Sequence, residues 1–348
     1  MIRHTLVARL DSMGDLLISG PAVRAVAAGS TRVTALVGPR GAAAARLLPG
    51  VDQAVVWDCP WISAQPPTVD SAALTEIVRR VAALNADAAV ILTSFHQSAL
   101  PTALVLRLAG VRRISAISED YPGSLLDVRV PSPPDAPEPA RMLAVASAAG
   151  FELPHGDDGR LAVRQPLLPP AGLPRQRYLV VHPGTAAPAR AYPADGWRRV
   201  VAALTANGWA VLVTGSAQEA PLTATVADAA VQPGWARDCA GLFNLTGLAA
   251  VLQRSEVLVA ANTGPAHLAA AVRTPVVSLF APVVPAARWA PYGVDHVLLG
   301  DQRAPCRASR AVHCPVPGHP CLTSVRPEQV VAAVAQLTDL SCAEGRSA

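Results

Sequence analysis

At roughly 150 residues per domain, a chain of 348 residues has room for two domains with substantial hydrophobic cores. Hydrophobic residues make up 51% and charged residues 16%, which excludes a disordered chain, and no run reaches the roughly 18 uninterrupted apolar residues of a membrane span. The net charge is +4 and all 29 basic side chains are arginine, so a phosphate site must use Arg, His or backbone N–H groups; with only 4% aromatic residues and no aromatic-interleaved basic stretch, no nucleic-acid partner is expected.

Arg3, Arg9 and Asp11 interrupt the continuous apolar stretch that a secretory leader needs, so a cytoplasmic location is expected. The modest positive charge is compatible with peripheral contact at the inner face of the cytoplasmic membrane, although no basic amphipathic helix requires it.

In chain order, β-rich runs at 5–10, 32–37, 54–57 and 88–92 alternate with helical patterns at 15–28, 40–48, 69–84 and 98–109. Such alternation predicts βαβ units and a parallel sheet. The stretch 130–139 carries five prolines and suits neither a helix nor a central strand. A helix at 140–149 leads to a second Pro-rich stretch, 165–174, after which a fresh βα series begins. Strands are expected at 178–182, 209–214, 257–261 and 275–280, and helices at 195–206, 218–230, 245–254, 265–272 and 327–337. Asn207-Gly208 supplies a helix stop. The expected domains are therefore 1–165 and 175–325, followed by a C-terminal helix and tail at 326–348. Two doubly wound halves would face a central cleft with the carboxyl ends of their strands.

Three segments could carry chemistry there. RLDSMGDLL at 9–17 runs from strand to helix, with Gly14 easing the turn. Asp15 reads either as a general base or as a carboxylate favoured by the helix dipole. A dinucleotide fingerprint is absent, and the P-loop needs a lysine that the chain lacks. In HPGTAAPARAYP at 182–193, Gly184, Thr185 and Arg190 suit a diphosphate, although an arginine in such a loop can also be merely solvated. In LVAANTGPAHLAAAV at 258–272 Thr263 or Gly264 caps a helix, with Pro265 in its first position and His267 in the first turn. N–H groups at Thr263, Gly264 and Ala266 would form an anion site; the alternative is a well-capped buried helix.

Taken in this order, the segments make the chain resemble glycosyltransferase family 9, the family of lipopolysaccharide heptosyltransferases. The resemblance rests on R-L-x-S-M-G-D, the P-G-T loop with a following basic residue and Y-P, T-G-P-x-H, DCAGL at 238–242, PVVSLFAP at 275–282 and RWAPYG at 288–293. It implies an α/β GT-B fold, with two Rossmann-like domains, the first binding the acceptor and the second the nucleotide-sugar donor. It also implies inverting transfer of a sugar, a heptose in the named enzymes, to a glycan or glycolipid acceptor without a metal or other cofactor.

Residue by residue, Asp15 matches the family's catalytic base and Arg190 its phosphate-binding lysine. Thr185 matches a loop residue beside the donor phosphates, and Glu219 in GSAQE the position facing the donor ribose. Thr263, Gly264 and His267 match the helix start that holds the diphosphate. Asn262 replaces an Asp that accepts hydrogen bonds from the sugar, and Arg190 replaces a compact ammonium by a planar fork, so donor identity is open. His96, after the fourth strand, is an acceptor-side candidate. A nucleotide-sugar epimerase and a non-catalytic nucleotide-sugar-binding protein are the alternatives.

Cys306, Cys314 and Cys321 lie near His313 and His319 but lack the C-x2-4-C pair that usually begins a zinc site. Packed, reduced thiols are expected, with a disulfide as the second reading and no metal. Asn244-Leu245-Thr246 fits a glycosylation acceptor, but Asn244 reads better as the start of a helix.

Overall fold

In the computed structural model, which describes residues 1–63, 65–132 and 135–343, the chain divides into Met1–Arg164 and Gln165–Ala348. The Pro-rich stretch 130–139 includes Pro133 and Pro134, and the expected tail includes 344–348; these lie outside the described residues.

The first unit contains β1 (Ile2–Arg9), α1 (Met13–Ile18), α2 (Gly20–Ala28), β2 (Ser30–Val37), α3 (Ala42–Ala45), β3 (Gln53–Val56), α4 (Ser71–Ala82), β4 (Ala88–Ile91), α5 (Leu100–Leu108), β5 (Arg113–Ile117), β6 (Val128–Val130) and α6 (Glu138–Ala148). Its parallel sheet has the order β3-β2-β1-β4-β5-β6, with Thr5 paired to Val33 on one side and Ala88 on the other. A central parallel strand is covered on both faces, which is why β4 and the Leu6–Ala8 stretch of β1 are apolar runs rather than alternating ones. Leu6, Ala8, Leu36, Ala89, Ile91 and Ile114 form the middle of one core. On α4, Ile77 and Val81 lie four residues apart and are buried, each such burial being worth roughly 1.5–3 kcal/mol.

The helix expected over 15–28 is two helices. Ser12 caps the first, and Asp15 completes the capping box, so α1 starts at Met13 rather than at Asp15. It ends before Pro21, whose nitrogen has no hydrogen to donate to the preceding turn. Strands β5 and β6 fall where no element was predicted; β6 is only three residues long.

The second unit contains β7 (Tyr178–His182), α7 (Ala194–Ala206), β8 (Ala210–Val213), α8 (Ala220–Ala227), β9 (Ala236–Asp238), α9 (Leu245–Gln253), β10 (Leu258–Ala261), α10 (Gly264–Ala271), β11 (Val276–Leu279), α11 (Ala286–Trp289), β12 (His296–Leu299), α12 (Pro320–Thr323) and α13 (Pro327–Ala343). Its sheet order is β12-β11-β10-β7-β8-β9. Counted from each unit's first strand, both orders read 3-2-1-4-5-6, the doubly wound topology with a switch point between its first and fourth strands. Those points fall between β1 and β4 and between β7 and β10.

The core of the second unit gathers Leu179, Val181, Trp197, Val259 and Leu279, and α13 adds Val330, Val334 and Leu337. Tyr192 packs edge-on against Trp197 at 5.3 Å, and its hydroxyl donates to the Val325 carbonyl at 2.8 Å. Gly196 makes room for this ring: a Cβ there would lie 2.4 Å from it. Asn244 caps α9 through the Gly247 N–H at 2.8 Å, the role read for it in the sequence.

Cys306 and Cys321 are buried and Cys314 is half-buried, all as free thiols. Burial, with Cys306 and Cys314 nearby, pushes the Cys321 thiol up to about 12, which keeps it protonated and unreactive.

Candidate active site

In the first unit, candidate residues collect where β1 and β4 release the chain. Arg9 ends β1 with its guanidinium fully buried. Nη2 donates to Asp15 Oδ1 at 3.2 Å and to Ser94 Oγ at 2.9 Å, and Nη1 reaches Met142 Sδ at 3.6 Å. Nε lies 3.1 Å from Asp11 Oδ2, an ion-pair distance without hydrogen-bond alignment. Asp15 Oδ2 accepts from the Ser12 hydroxyl at 2.6 Å and from the Ser12 N–H at 3.2 Å. Asp11 accepts from the Gln97 amide and from Ser94 Oγ. Behind them, buried Arg141 donates to the Thr93 carbonyl and to Glu138. Gly14 is buried inside the first turn of α1. His96 is exposed on the loop that supplies Ser94 and Gln97, with its ring edge-on to Phe95 at 5.4 Å.

In the second unit, the ends of β7, β8 and β10 bring the other candidates together. His182 closes β7, with Nδ1 3.0 Å from Thr214 Oγ1 at the end of β8. Glu219 Oε2 accepts from the Ser216 N–H at 2.7 Å and from its hydroxyl at 2.9 Å. The other carboxylate oxygen lies over Gly184, where a Cβ would come within 1.8 Å of it. No side chain larger than hydrogen fits between that loop and Glu219. Thr185, half-buried, takes the Ala187 N–H on its hydroxyl at 3.5 Å. Arg190 sits in the 3-10 turn Pro188–Arg190 and donates from Nη1 to the Asn262 carbonyl at 3.2 Å. This places a cation beside the N-terminus of α10, where the partial charge of the helix is also positive.

The start of α10 differs from its sequence-based expectation in two ways. Thr263 is the N-cap, one of the two expected, by its extended backbone and without a side-chain capping bond, but Pro265 is the second helical residue rather than the first. The Ala266 N–H donates to the Thr263 carbonyl at 3.1 Å, so it does not point outward as expected. Half-buried Thr263 and Gly264 remain the accessible end of the helix, while His267 is buried in its first turn.

Residues 74–318 match the family model described as glycosyltransferase family 9, the heptosyltransferases. The chain belongs to glycosyltransferase family 9. It is 34% identical over 163 residues to lipopolysaccharide heptosyltransferase 1 of Pseudomonas aeruginosa, a match spanning 45% of this chain and 43% of that relative, less than half the length of either. Among solved structures, it is similar to a family 9 glycosyltransferase from Veillonella parvula, with TM-score 0.75 and 16% identity over 97% of both chains. It is also similar to the ADP-heptose lipopolysaccharide heptosyltransferase II of E. coli, with TM-score 0.72 and 18% identity over 97% of this chain and 99% of the other. At these identities the likeness is one of fold, and that fold is GT-B.

Within this family 9 chain, Asn262 is buried with 6% exposure and its carboxamide forms a two-way bridge to Ala281. Nδ2 donates to the Ala281 carbonyl at 3.3 Å, and Oδ1 accepts the Ala281 N–H at 3.2 Å. An aspartate could make only the second bond. The side chain expected to meet the donor sugar is thus engaged with the chain just beyond β11, while its backbone carbonyl holds Arg190.

Electrostatics differ between the two units. Burial opposes the charge on Arg9, but Asp11, Asp15 and Glu138 more than offset it and raise its proton affinity further. Burial also pushes the Asp11 carboxyl above the usual carboxylate range; Arg9 pulls it back and Asp15 adds to the rise. His182 is held down to about 4 by burial, partly countered by Glu219, so its imidazole is neutral near pH 7. Among the described residues, no group of three or more His, Cys, Asp or Glu side chains is arranged to hold a metal.

Arg9, Asp11, Ser94 and Gln97 were not singled out as site residues from the sequence, nor were His182, Thr214 and Ser216. One signal was present: Arg9 is a charge directly after the apolar stretch Leu6–Ala8 of a central strand, a place where burial demands partners.

Proposed function

We propose that this protein transfers heptose from ADP-heptose to a lipopolysaccharide-core acceptor, with inversion and without a metal, the first unit taking the acceptor and the second the donor. The observation that carries the reading is Arg190, anchored on the Asn262 carbonyl at the start of α10. A guanidinium and a helix N-terminus converge there, which suits a diphosphate whose negative charge grows as it leaves. The names of the similar proteins, lipopolysaccharide heptosyltransferases and one of them an ADP-heptose enzyme, suggest the sugar, the nucleotide and the acceptor class. Because nucleotide and acceptor are brought by the substrates, no cofactor is required; the enzyme would meet the cytoplasmic membrane through its acceptor. Among the described residues, no helix is long and apolar enough to cross a membrane.

In this mechanism Asp15 takes the proton from the acceptor hydroxyl as its oxygen attacks the anomeric carbon. The bond from that carbon to the phosphate oxygen breaks, and ADP departs with the electron pair. Arg190, the N–H groups at Thr263–Gly264 and the Thr185 hydroxyl hold the departing charge. Glu219 accepts hydrogen bonds from the ribose, and exposed His96 lies on the acceptor side.

The test is ADP release from ADP-heptose in the presence of a lipopolysaccharide inner-core acceptor, with and without EDTA. Asp15→Asn should lower kcat by about 10²–10⁴-fold, the range of general-base catalysis. Arg190→Ala should weaken ADP binding. A wild-type rate in Asp15→Asn overturns the base assignment, and loss of turnover with EDTA overturns metal independence. Release of an epimerised sugar without acceptor would point to an epimerase. ADP-heptose binding without ADP release would point to a binding protein.

A further inference from the structure

The cation that ends β1 serves two carboxylates at once. Arg9 lies 3.1 Å from Asp11 through Nε and 3.2 Å from Asp15 through Nη2, and it holds neither by a pair of parallel hydrogen bonds. Each carboxylate has its own second holder: Gln97 and Ser94 for Asp11, and Ser12 for Asp15. They differ in access, for the Asp11 side chain is 10% exposed and that of Asp15 is 22% exposed. The shared cation therefore has one inward carboxylate and one that solvent reaches more readily.

Resting on the reading of Asp15 as the base, we propose that Arg9 is a positioning residue for the Asp15 carboxylate, and that Asp11 limits how strongly Arg9 holds it, so that Asp15 is oriented yet still accepts a proton. The physical conflict is general. A buried guanidinium fixes a carboxylate well, but an opposite charge within about 4–6 Å also lowers its proton affinity, typically by 1–3 pH units. A base so weakened transfers the proton less readily. A second carboxylate on the same guanidinium divides the attraction and adds like-charge repulsion while leaving the geometry in place. The upward push on Asp11 from burial and from Asp15 fits this coupling.

Other titratable groups stand around the pair, among them the Cys59 thiol, pushed up to about 12 by burial with the Asp11 charge adding to the rise. On α6, Glu138 faces Arg9, and Arg141 pairs with Glu138. The elements packed on α1 carry exposed Arg40 and Arg46, and Arg24, which is paired with Asp157. His96 is exposed on the loop after β4. Arg9 touches both Asp11 and Asp15, so Asp11 and Arg9 are the groups to change.

Asp11→Asn keeps the size of the side chain and an oxygen for the Gln97 amide while removing the charge and turning the oxygen beside Arg9 Nε and Ser94 into an NH2 group. The experiment is the pH profile of ADP release from ADP-heptose with the inner-core acceptor for wild type, Asp11→Asn, Arg9→Gln and Asp15→Asn. In Asp11→Asn the acid limb of kcat should move to lower pH by about one unit, with kcat on the plateau lower by about threefold and KM for ADP-heptose unchanged. Arg9→Gln should move the acid limb the other way. A folded Asp11→Asn protein with the wild-type acid limb, or one displaced upward, overturns the proposal. On the wild-type protein, carbon NMR of labelled aspartates should show the Asp15 signal inflecting again at the Asp11 midpoint; two independent single-step curves also overturn it, whether or not the variants fold. Asp15→Asn separates the layers: a wild-type rate there removes the base reading, whereas an inactive Asp15→Asn with an unmoved Asp11→Asn profile removes the coupling alone.

Discussion

Asn262→Asp exchanges the amide of this chain for a carboxylate, and the structure says what that costs. The donor from Nδ2 to the Ala281 carbonyl at 3.3 Å is lost, and a carboxylate oxygen then faces the carbonyl oxygen at a site with 6% exposure. A buried acceptor left without its donor costs about 1–3 kcal/mol, and repulsion between the two oxygens adds to it, so a loss of about 2–3 kcal/mol at pH 7 is expected. For a unit of this size that corresponds to a fall in Tm of roughly 5–10 °C. The loss should depend on pH. Protonated, the introduced carboxyl can donate to the Ala281 carbonyl, so burial and hydrogen bonding raise its pKa in the folded state. The stabilisation from the neutral form is then complete below the unfolded value near ~3.9 and is lost as pH rises through the folded value. Urea unfolding of wild type and variant at pH 5 and pH 7.5 measures this directly. An equal loss relative to wild type at both pH values would refute the role given to the amide.

Gly184→Ala must drive Glu219 off the loop, because the new Cβ would lie 1.8 Å from its carboxylate oxygen; about 1–2 kcal/mol of stability from the Ser216 cap should go, together with affinity for ADP, read by thermal melts and calorimetry. Gly196→Ala pushes a methyl to 2.4 Å from the Tyr192 ring, and loss of its packing and of the bond to Val325 should cost about 2–4 kcal/mol in urea unfolding. His182 has a folded pKa of about 4, below its unfolded value, so the unfolded chain binds the proton first. Its contribution is therefore intact above the unfolded value near ~6.5 and should fall, by on the order of 3 kcal/mol in all, as pH drops from there toward 4. In His182→Gln the pH slope of stability over that window should flatten; an unchanged slope would assign it to other groups.

Central strands were the legible part of the fold. Tyr178–His182 matches its expected strand end to end, and Val276–Leu279 lies within its expected run, because strands buried on both faces need unbroken apolar sequence. The strands Val128–Val130, Ala236–Asp238 and His296–Leu299 left no such mark, being short, at or near sheet edges and partly exposed. The capping box at Ser12 and Asp15 was readable in principle, since its parts lie three residues apart. Asp15, Arg190 and the Thr263–Gly264 start were likewise visible as strand-to-helix junctions.

The partners of those residues were not visible. Asp11 and Gln97 are 86 residues apart, and Arg190 and the Asn262 carbonyl 72, and they meet because β4 lies beside β1 and β10 beside β7. Strand order depends on which long crossovers pack best, a property of the whole sheet that no local pattern encodes. Local sequence determined the elements, their caps and the chemistry available at each junction. Tertiary structure alone decided that one buried guanidinium would answer two carboxylates, and that the Asn262 amide would turn to Ala281, because hydrogen bonds are satisfied by whatever the fold brings within about 3 Å.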